Sequence, residues 1–294
     1  MKESFITHKF SNSSMQMIFK INDILDDYES QGYKLSLRQL YYQLVSKAWI
    51  ENSVKSYKNI GSLVSDARLA GYIDWDMIED RGRNTVSNSH WKNPGGILIS
   101  SAYSFKIDKW ENQPWHVEVM VEKDALSGVL EPICKKLDIG ITANKGYSSS
   151  STMYEIGQRI MNQGNKEKDI CVIYLGDHDP SGIDMTRDVK ERLELFSGGT
   201  WIDVKRIALN WDQVEEWKPP ENPAKETDSR FAKYAEEFGD SSWELDAVEP
   251  AKLAKLLTDT VEKLIDFEKW DKSVETENSY IAEIESMAKQ YKDK

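Results

Sequence analysis

From Trp115 to Leu209 the chain alternates apolar runs of strand length with amphipathic stretches of helix length, and this limits its possible folds more than any other feature. HVEVMV (116–121) reads as a buried strand, followed by an amphipathic helix over 124–137. IGITA (139–143) predicts a second strand and 150–162 a second helix. ICVIYL (170–175) and 183–196 repeat the unit, and WIDVKRIAL (201–209) adds a fourth strand. Strands alternating with helices build a parallel sheet, because a parallel neighbour is reached only by a crossover, which a helix supplies. The expected class is therefore α/β with a Rossmann-like parallel sheet. After Asn210 comes an irregular Pro-rich segment, WKPPENPAKETDSR, and then helices, the last reaching from about residue 250 to the C-terminus.

Open parallel sheets gather ligands beyond the carboxyl ends of their strands. Two of those ends carry acids: Glu122 directly follows HVEVMV, and Asp177 and Asp179 follow ICVIYL in LGDHDPSG. Residues two apart in extended backbone point the same way, so the two aspartates present their carboxylates together. With Glu122 from a neighbouring strand they make a set of hard oxygen ligands suited to Mg²⁺. A cation would relieve the repulsion among three such groups. The competing reading of the same residues is an ordinary Asp-Pro-Gly turn, with Glu122 as a helix N-terminal acid.

The first part of the chain is read as a mainly helical domain over 1–112, with the α/β domain and a helical extension over 113–294. Residues 14–30 carry Ile18, Ile21, Ile24, Leu25 and Tyr28 at helical spacing, with Gly32 as the stop. Ser36 caps a second helix with the stripe Leu37, Leu40, Tyr41, Leu44, and a third spans about 59–70. Three short helices followed by the Asn-, Ser-, Gly- and Arg-rich stretch 80–96 predict a winged-helix domain, with 97–110 as a bridging helix or hairpin. The stripe Ile60, Leu63, Val64, Ala67 leaves Lys58, Ser62 and Ser65 outward as candidate DNA contacts. The net charge of −12 is no objection, because it is uneven: residues 1–110 balance to +2 and the remainder to −14.

SLRQLYYQLVSK places an arginine four residues before Tyr42. Helical geometry puts Tyr41 on the apolar stripe and Tyr42 on the face of Arg38. A phenol that attacks phosphorus must lose its proton, whose ordinary pKa is about 10, and a guanidinium beside it favours the phenolate and binds the phosphate. Two packed aromatics with Arg38 in a surface ion pair is the alternative.

VMVEKDAL, KGYSSSSTMYEIG and VIYLGDHDPSGIDM together resemble the TOPRIM fold over roughly 115–210. The Glu-Lys-Asp and Asp-x-Asp-Pro-x-Gly wording is most similar to the topoisomerase VI A subunit and the related meiotic double-strand-break protein, including short stand-alone bacterial and viral relatives. SLRQLYYQLVSK resembles that family's tyrosine motif. The resemblance implies Mg²⁺ held by Glu122, Asp177 and Asp179, with Asp184 as a supporting candidate and Lys123 and His178 near phosphate. It also implies Tyr42 as the nucleophile cutting double-stranded DNA, in a homodimer where one subunit's tyrosine serves the other's metal site. The family's ATPase is a separate subunit, and this chain has no G-x-x-x-x-G-K-[ST] loop. Two other functions stay open: a TOPRIM endonuclease using metal-activated water, and a non-catalytic winged-helix DNA-binding protein. WELDA, near the C-terminal helices, receives no role; Lys225 and Arg230 could touch the DNA backbone, but solvated loop charges account for them more simply. Two distant cysteines, Cys134 and Cys171, and no apolar run of about 18 residues fit a reducing cytoplasm, nucleoid-associated in a bacterium or host cytoplasm for a virus, with no membrane partner.

Overall fold

The computed structural model describes residues 2–79, 88–144 and 148–291. Its N-terminal part folds around α1 (Asn12–Ser30), α2 (Leu37–Ser46) and α3 (Val54–Leu69), which bury Ile18, Ile21, Leu25, Leu40, Leu44 and Ile60 in one core. The expected cap on α2 is present as a reciprocal box: Gln39 N donates to Ser36 Oγ at 3.2 Å, and Ser36 N donates to Gln39 Oε1 at 2.8 Å. Ser36 also belongs to β1 (Leu35–Ser36), which pairs in parallel with β2 (Ile78–Glu79) and ties the entry of α2 to the end of this unit. Much of the expected wing falls on 80–87, outside the described residues. α4 (Pro94–Ser104) follows, capped by Asn93.

The second part is a four-stranded, all-parallel sheet in the order β4-β3-β5-β6, made of β3 (Trp115–Val121), β4 (Gly140–Ala143), β5 (Asp169–Leu175) and β6 (Asp203–Ala208). The crossovers are α5 (Ser127–Lys136), α6 (Ser150–Gly164) and α7 (Pro180–Phe196). Alternation along the strands fills two cores. Val117, Val119, Val121 and Cys171, Ile173, Leu175 face one side with Leu130 of α5, while Met120, Val172 and Tyr174 face the other with Ile156 of α6 and Val189 of α7. The α/β expectation holds, with strand bounds within two residues of those read from periodicity.

The segment after Asn210 is more ordered than its composition predicts. It contains α8 (Trp211–Trp217), β7 (Glu221–Pro223), α9 (Phe231–Phe238) and β8 (Ser241–Trp243), with β7 and β8 antiparallel. α10 (Pro250–Glu262) lies on α5, its Leu253, Leu257 and Val261 completing the first sheet core. α11 (Phe267–Lys289) packs along α4, and Glu277 of α11 binds Lys106 at 2.8 Å and Lys109 at 2.6 Å. The stretch around 94–109, assigned by sequence to the first domain, is thus fastened to the C-terminal helix. Among the described residues no helix is long and apolar enough to cross a membrane.

Candidate active site

Connections leave β3 and β5 toward opposite edges of the sheet, β3 toward β4 and β5 toward β6, so the crevice between their carboxyl ends is the topological switch point. Glu122 and Asp177 lie there. Glu122 N donates to Leu175 O at 2.9 Å, extending the sheet by one residue, and Asp177 N donates to Glu122 Oε2 at 2.8 Å. Gly176 makes that approach possible, because a Cβ there would lie 2.9 Å from Glu122 Oε2. Burial, then the nearby Asp177 charge, pushes the Glu122 carboxyl up to about 7.

Asp177 is bound on both oxygens: Leu245 N donates to Oδ1 at 2.8 Å, and Lys123 Nζ lies 2.6 Å from Oδ2. Burial still holds its carboxyl above the usual range, against the pull of Lys123. Asp179 turns away to cap α7, its Oδ1 accepting from Gly182 N at 2.5 Å and Ser181 Oγ at 2.9 Å. Among the described residues no three His, Cys, Asp or Glu side chains form a group able to hold a metal. The positive charge at this point comes instead from Lys123, which sequence reasoning had set against phosphate.

Lys123 continues the chain of charges, its Nζ lying 2.7 Å from Glu244 Oε2. The same oxygen receives Arg38 Nη2, and Arg38 Nε lies 3.2 Å from Asp246 Oδ2. Burial works against the charges of both cations, but Asp177, Asp246 and Glu244 hold Lys123 above its ordinary pKa, and Glu244 does the same for Arg38. Asp246 is the least satisfied member. Its side chain is 0% exposed, neither oxygen accepts a hydrogen bond, and burial raises it to about 6. Among these carboxylates Asp246 keeps oxygens that a hard cation could take, whereas those of Asp177 and Asp179 are engaged by Lys123, Leu245 N and the start of α7.

Tyr42 lies at the Arg38 end of this network, its ring centroid 5.8 Å from the guanidinium carbon. It lines a cavity of ≈ 390 Å³ together with Arg38, Asn52, Tyr57, Asn222 and Glu244. Tyr41 is buried and Tyr42 lies on the side of Arg38, as read, but Tyr42 is equally buried, at 4% exposure, and both tyrosines pack with Ala247 rather than in the core of Leu40 and Leu44. Ala247, Asn222 and Glu244 around Tyr42 come from the second half of the chain, which a reading of α2 alone could not include. Arg38 does lower the Tyr42 pKa as expected, but burial and Glu244 outweigh it and push the phenol up to about 12. Lys58, Ser62 and Ser65 are exposed on α3, as the periodicity predicts.

His178 does not reach the crevice. It is 2% exposed, ringed by Trp211, Tyr234, Phe238 and Trp243, and burial lowers it to about 4, which keeps it neutral. Asp184 turns to Arg187 at 2.9 Å and Arg230 at 3.0 Å. Sequence reasoning missed Glu244, Asp246 and Arg206. The first two carried a signal: SSWELD is a strand followed by acids two apart, the pattern that singled out GDHD. β8 is carried to the site by His178, whose N–H and carbonyl pair with Trp243 at 2.8 and 2.9 Å. Arg206 gave no signal. It donates to the carbonyls of Gly176, Asp177, Gly182 and Leu209, fixing the Asp-x-Asp loop from beneath. The chain matches no family model, no curated protein and no solved structure.

Proposed function

We propose that this chain cleaves double-stranded DNA in a Mg²⁺-dependent reaction, with Tyr42 as the nucleophile, as its resemblance to the topoisomerase VI A subunit implies. The observation that carries this reading is the unbroken path Tyr42–Arg38–Glu244–Lys123–Asp177–Glu122, which joins residues far apart in sequence at one crevice. For Glu122, Asp177 and Asp179 to hold Mg²⁺, Lys123 would have to leave Asp177, and Asp179 its cap on α7; the ion would then supply positive charge for the scissile phosphate. Arg38 binds the phosphate, and Glu244 stands beside the phenol to accept its proton. The Tyr42 oxygen bonds to phosphorus while the phosphorus–oxygen bond of the DNA ester breaks, and its electron pair leaves on the DNA oxygen. Within one chain Tyr42 reaches Glu122 and Asp177 only through Arg38, Glu244 and Lys123, and a homodimer would bring one subunit's tyrosine to the other's carboxylates and so make two sites for two strands. ATP-driven strand passage would need a separate ATPase subunit. The TOPRIM-like and winged-helix assignments and a cytoplasmic, DNA-associated location belong to the same proposal.

One observation favours a second reading, hydrolysis by metal-activated water: Tyr42 is 4% exposed and its phenol is raised to about 12. Incubation with end-labelled supercoiled DNA and Mg²⁺ decides between them. An SDS-resistant protein–DNA adduct is the expected product. Cleavage without adduct selects the hydrolase, and binding without cleavage selects a non-catalytic DNA-binding protein.

A further inference from the structure

The cavity beside Tyr42 is walled by β7, part of the Pro-rich segment to which sequence reasoning gave no role, and two amides there are arranged with a definite polarity. The Glu221 carbonyl can only accept, so the Asn52 atom 3.0 Å from it is Nδ2. The same Nδ2 lies 2.7 Å from the Asn222 side chain, which makes the atom it meets Asn222 Oδ1. At its other end Asn52 Oδ1 accepts from Tyr41 Oη at 3.0 Å, and Tyr41 Oη accepts from Ser53 N at 2.8 Å. The amide of Asn222 therefore cannot turn over without breaking its bond to Asn52. Its Nδ2 is left buried and without a hydrogen-bond partner, in a cavity whose lining also includes Tyr42.

We infer that Asn222 Nδ2 is the hydrogen-bond donor reserved for the Tyr42 oxygen as negative charge develops on it, and that Asn52 and Tyr41 are positioning residues that aim it. The functional meaning rests on the reading of Tyr42 as nucleophile; the contact itself does not. A donor fixed and desolvated before reaction need not reorganise when the phenolate forms, so it stabilises the charged oxygen more than the neutral one. Asn222 acts on Tyr42 in that direction, lowering its pKa against burial and Glu244. The other groups facing the phenol are Arg38 of α2, Glu244 after β8, and the rings of Tyr41 and Tyr57. Asp246 bears on it through Arg38.

The test places 3-fluorotyrosine at position 42 of the full chain, which brings the phenol titration into a pH range the fold tolerates, and follows its ¹⁹F resonance. Asn222→Ala should weaken the acidity of that phenol roughly three- to tenfold, the effect of one hydrogen bond. Asn222→Asp keeps the shape but replaces the donor with an anion, and should weaken it further. Asn52→Ala, which leaves Tyr42 untouched, should move it the same way by less, because the Asn222 amide is then free to rotate. In the cleavage assay Asn222→Ala should slow adduct formation about 10²-fold, as loss of one oxyanion donor does. An unmoved phenol titration in both Asn222 variants, with melting temperatures kept, overturns the inference. A moved titration in a protein whose wild type forms no DNA adduct supports the contact and refutes the nucleophile.

Discussion

The strand-end carboxylates and the tyrosine cavity are neighbours built by different rules. Glu122 and Asp177 are set by backbone: each follows a strand of known register, and Asp177 N–H binds Glu122 directly. The cavity is set by side chains from α2, the start of α3, β7 and the turn after β8. In the first region burial, then the neighbouring Asp177 charge, raises Glu122 to about 7, and Lys123 is the cation that answers Asp177. The second is lined by amides and phenols, with Glu244 as an anionic wall and Arg38 as a cation. Glu244 belongs to both, receiving Lys123 from one side and Arg38 from the other. Glu244 therefore couples the two regions.

The largest effects should come from removing the reacting group of each region. Tyr42→Phe deletes one oxygen and should abolish the covalent adduct while Mg²⁺ binding, measured by calorimetry, stays unchanged. Asp177→Asn should also abolish cleavage, but with Mg²⁺ affinity down more than about tenfold. Full cleavage by Tyr42→Phe would sink the transesterase reading and promote the hydrolase. Equal Mg²⁺ affinity in the two variants would break the division of labour between the regions.

Next comes the coupling. Arg38→Ala removes a cation that serves both Glu244 and Asp246, and should slow cleavage on the order of 10²-fold by the loss of a phosphate-binding charge. Its cost in stability through the Glu244 pair should be modest, about 1 kcal/mol, because the Arg38 side chain is 45% exposed and solvent screens that pair, with a further cost at Asp246, which is 0% exposed. A thermal melt beside the cleavage assay separates the two effects. A large loss of stability with intact cleavage would make Arg38 a structural tie alone.

The same contrast explains what could be read in the sequence. Strand bounds, the Ser36 cap and the placement of Glu122 and Asp177 depend on period-two alternation and local backbone, which a sequence displays directly. The outward face of α3 was legible for the same reason. The depth of Tyr42 was not, because its covering comes from Ala247 and Asn222, some 200 residues on. Nor was the fate of Lys123, whose partners Glu244 and Asp177 meet only after β8 pairs with His178. Asp179 was misjudged in one respect: the extended backbone is present, yet its Oδ1 caps α7 beside Pro180.

A smaller effect tests the anion crowding. The Glu122 carboxyl is raised in the fold, so its contribution to stability is fully present below its ordinary pKa near 4.5 and is lost as pH rises through about 7. Without divalent cation the protein should lose stability across that window at this site, and Mg²⁺ should restore it. The Mg²⁺-induced rise in melting temperature should therefore be larger at pH 8 than at pH 5. Glu122→Gln should remove most of the pH dependence of that rise. A rise independent of pH in the wild type would place the cation away from Glu122.

The smallest effect concerns which region the DNA approaches first. Val54 and Tyr57, in the opening turns of α3, line the tyrosine cavity, and Lys58 is the next residue, exposed on the same helix. DNA lying along α3 would bring its backbone past Lys58 on the way to Tyr42, so that the charge-poor region receives the duplex and the acidic one engages only the scissile phosphate. A single lysine–phosphate contact releases about one counterion, so Lys58→Glu should weaken binding to any sequence alike and flatten the dependence of log K on log salt by about one. Ser62→Ala and Ser65→Ala, which carry no charge, should leave that slope unchanged while weakening binding only slightly. Unaltered affinity and slope in Lys58→Glu would mean that DNA reaches the crevice over another face, and the tyrosine cavity would lose its role as the entry side.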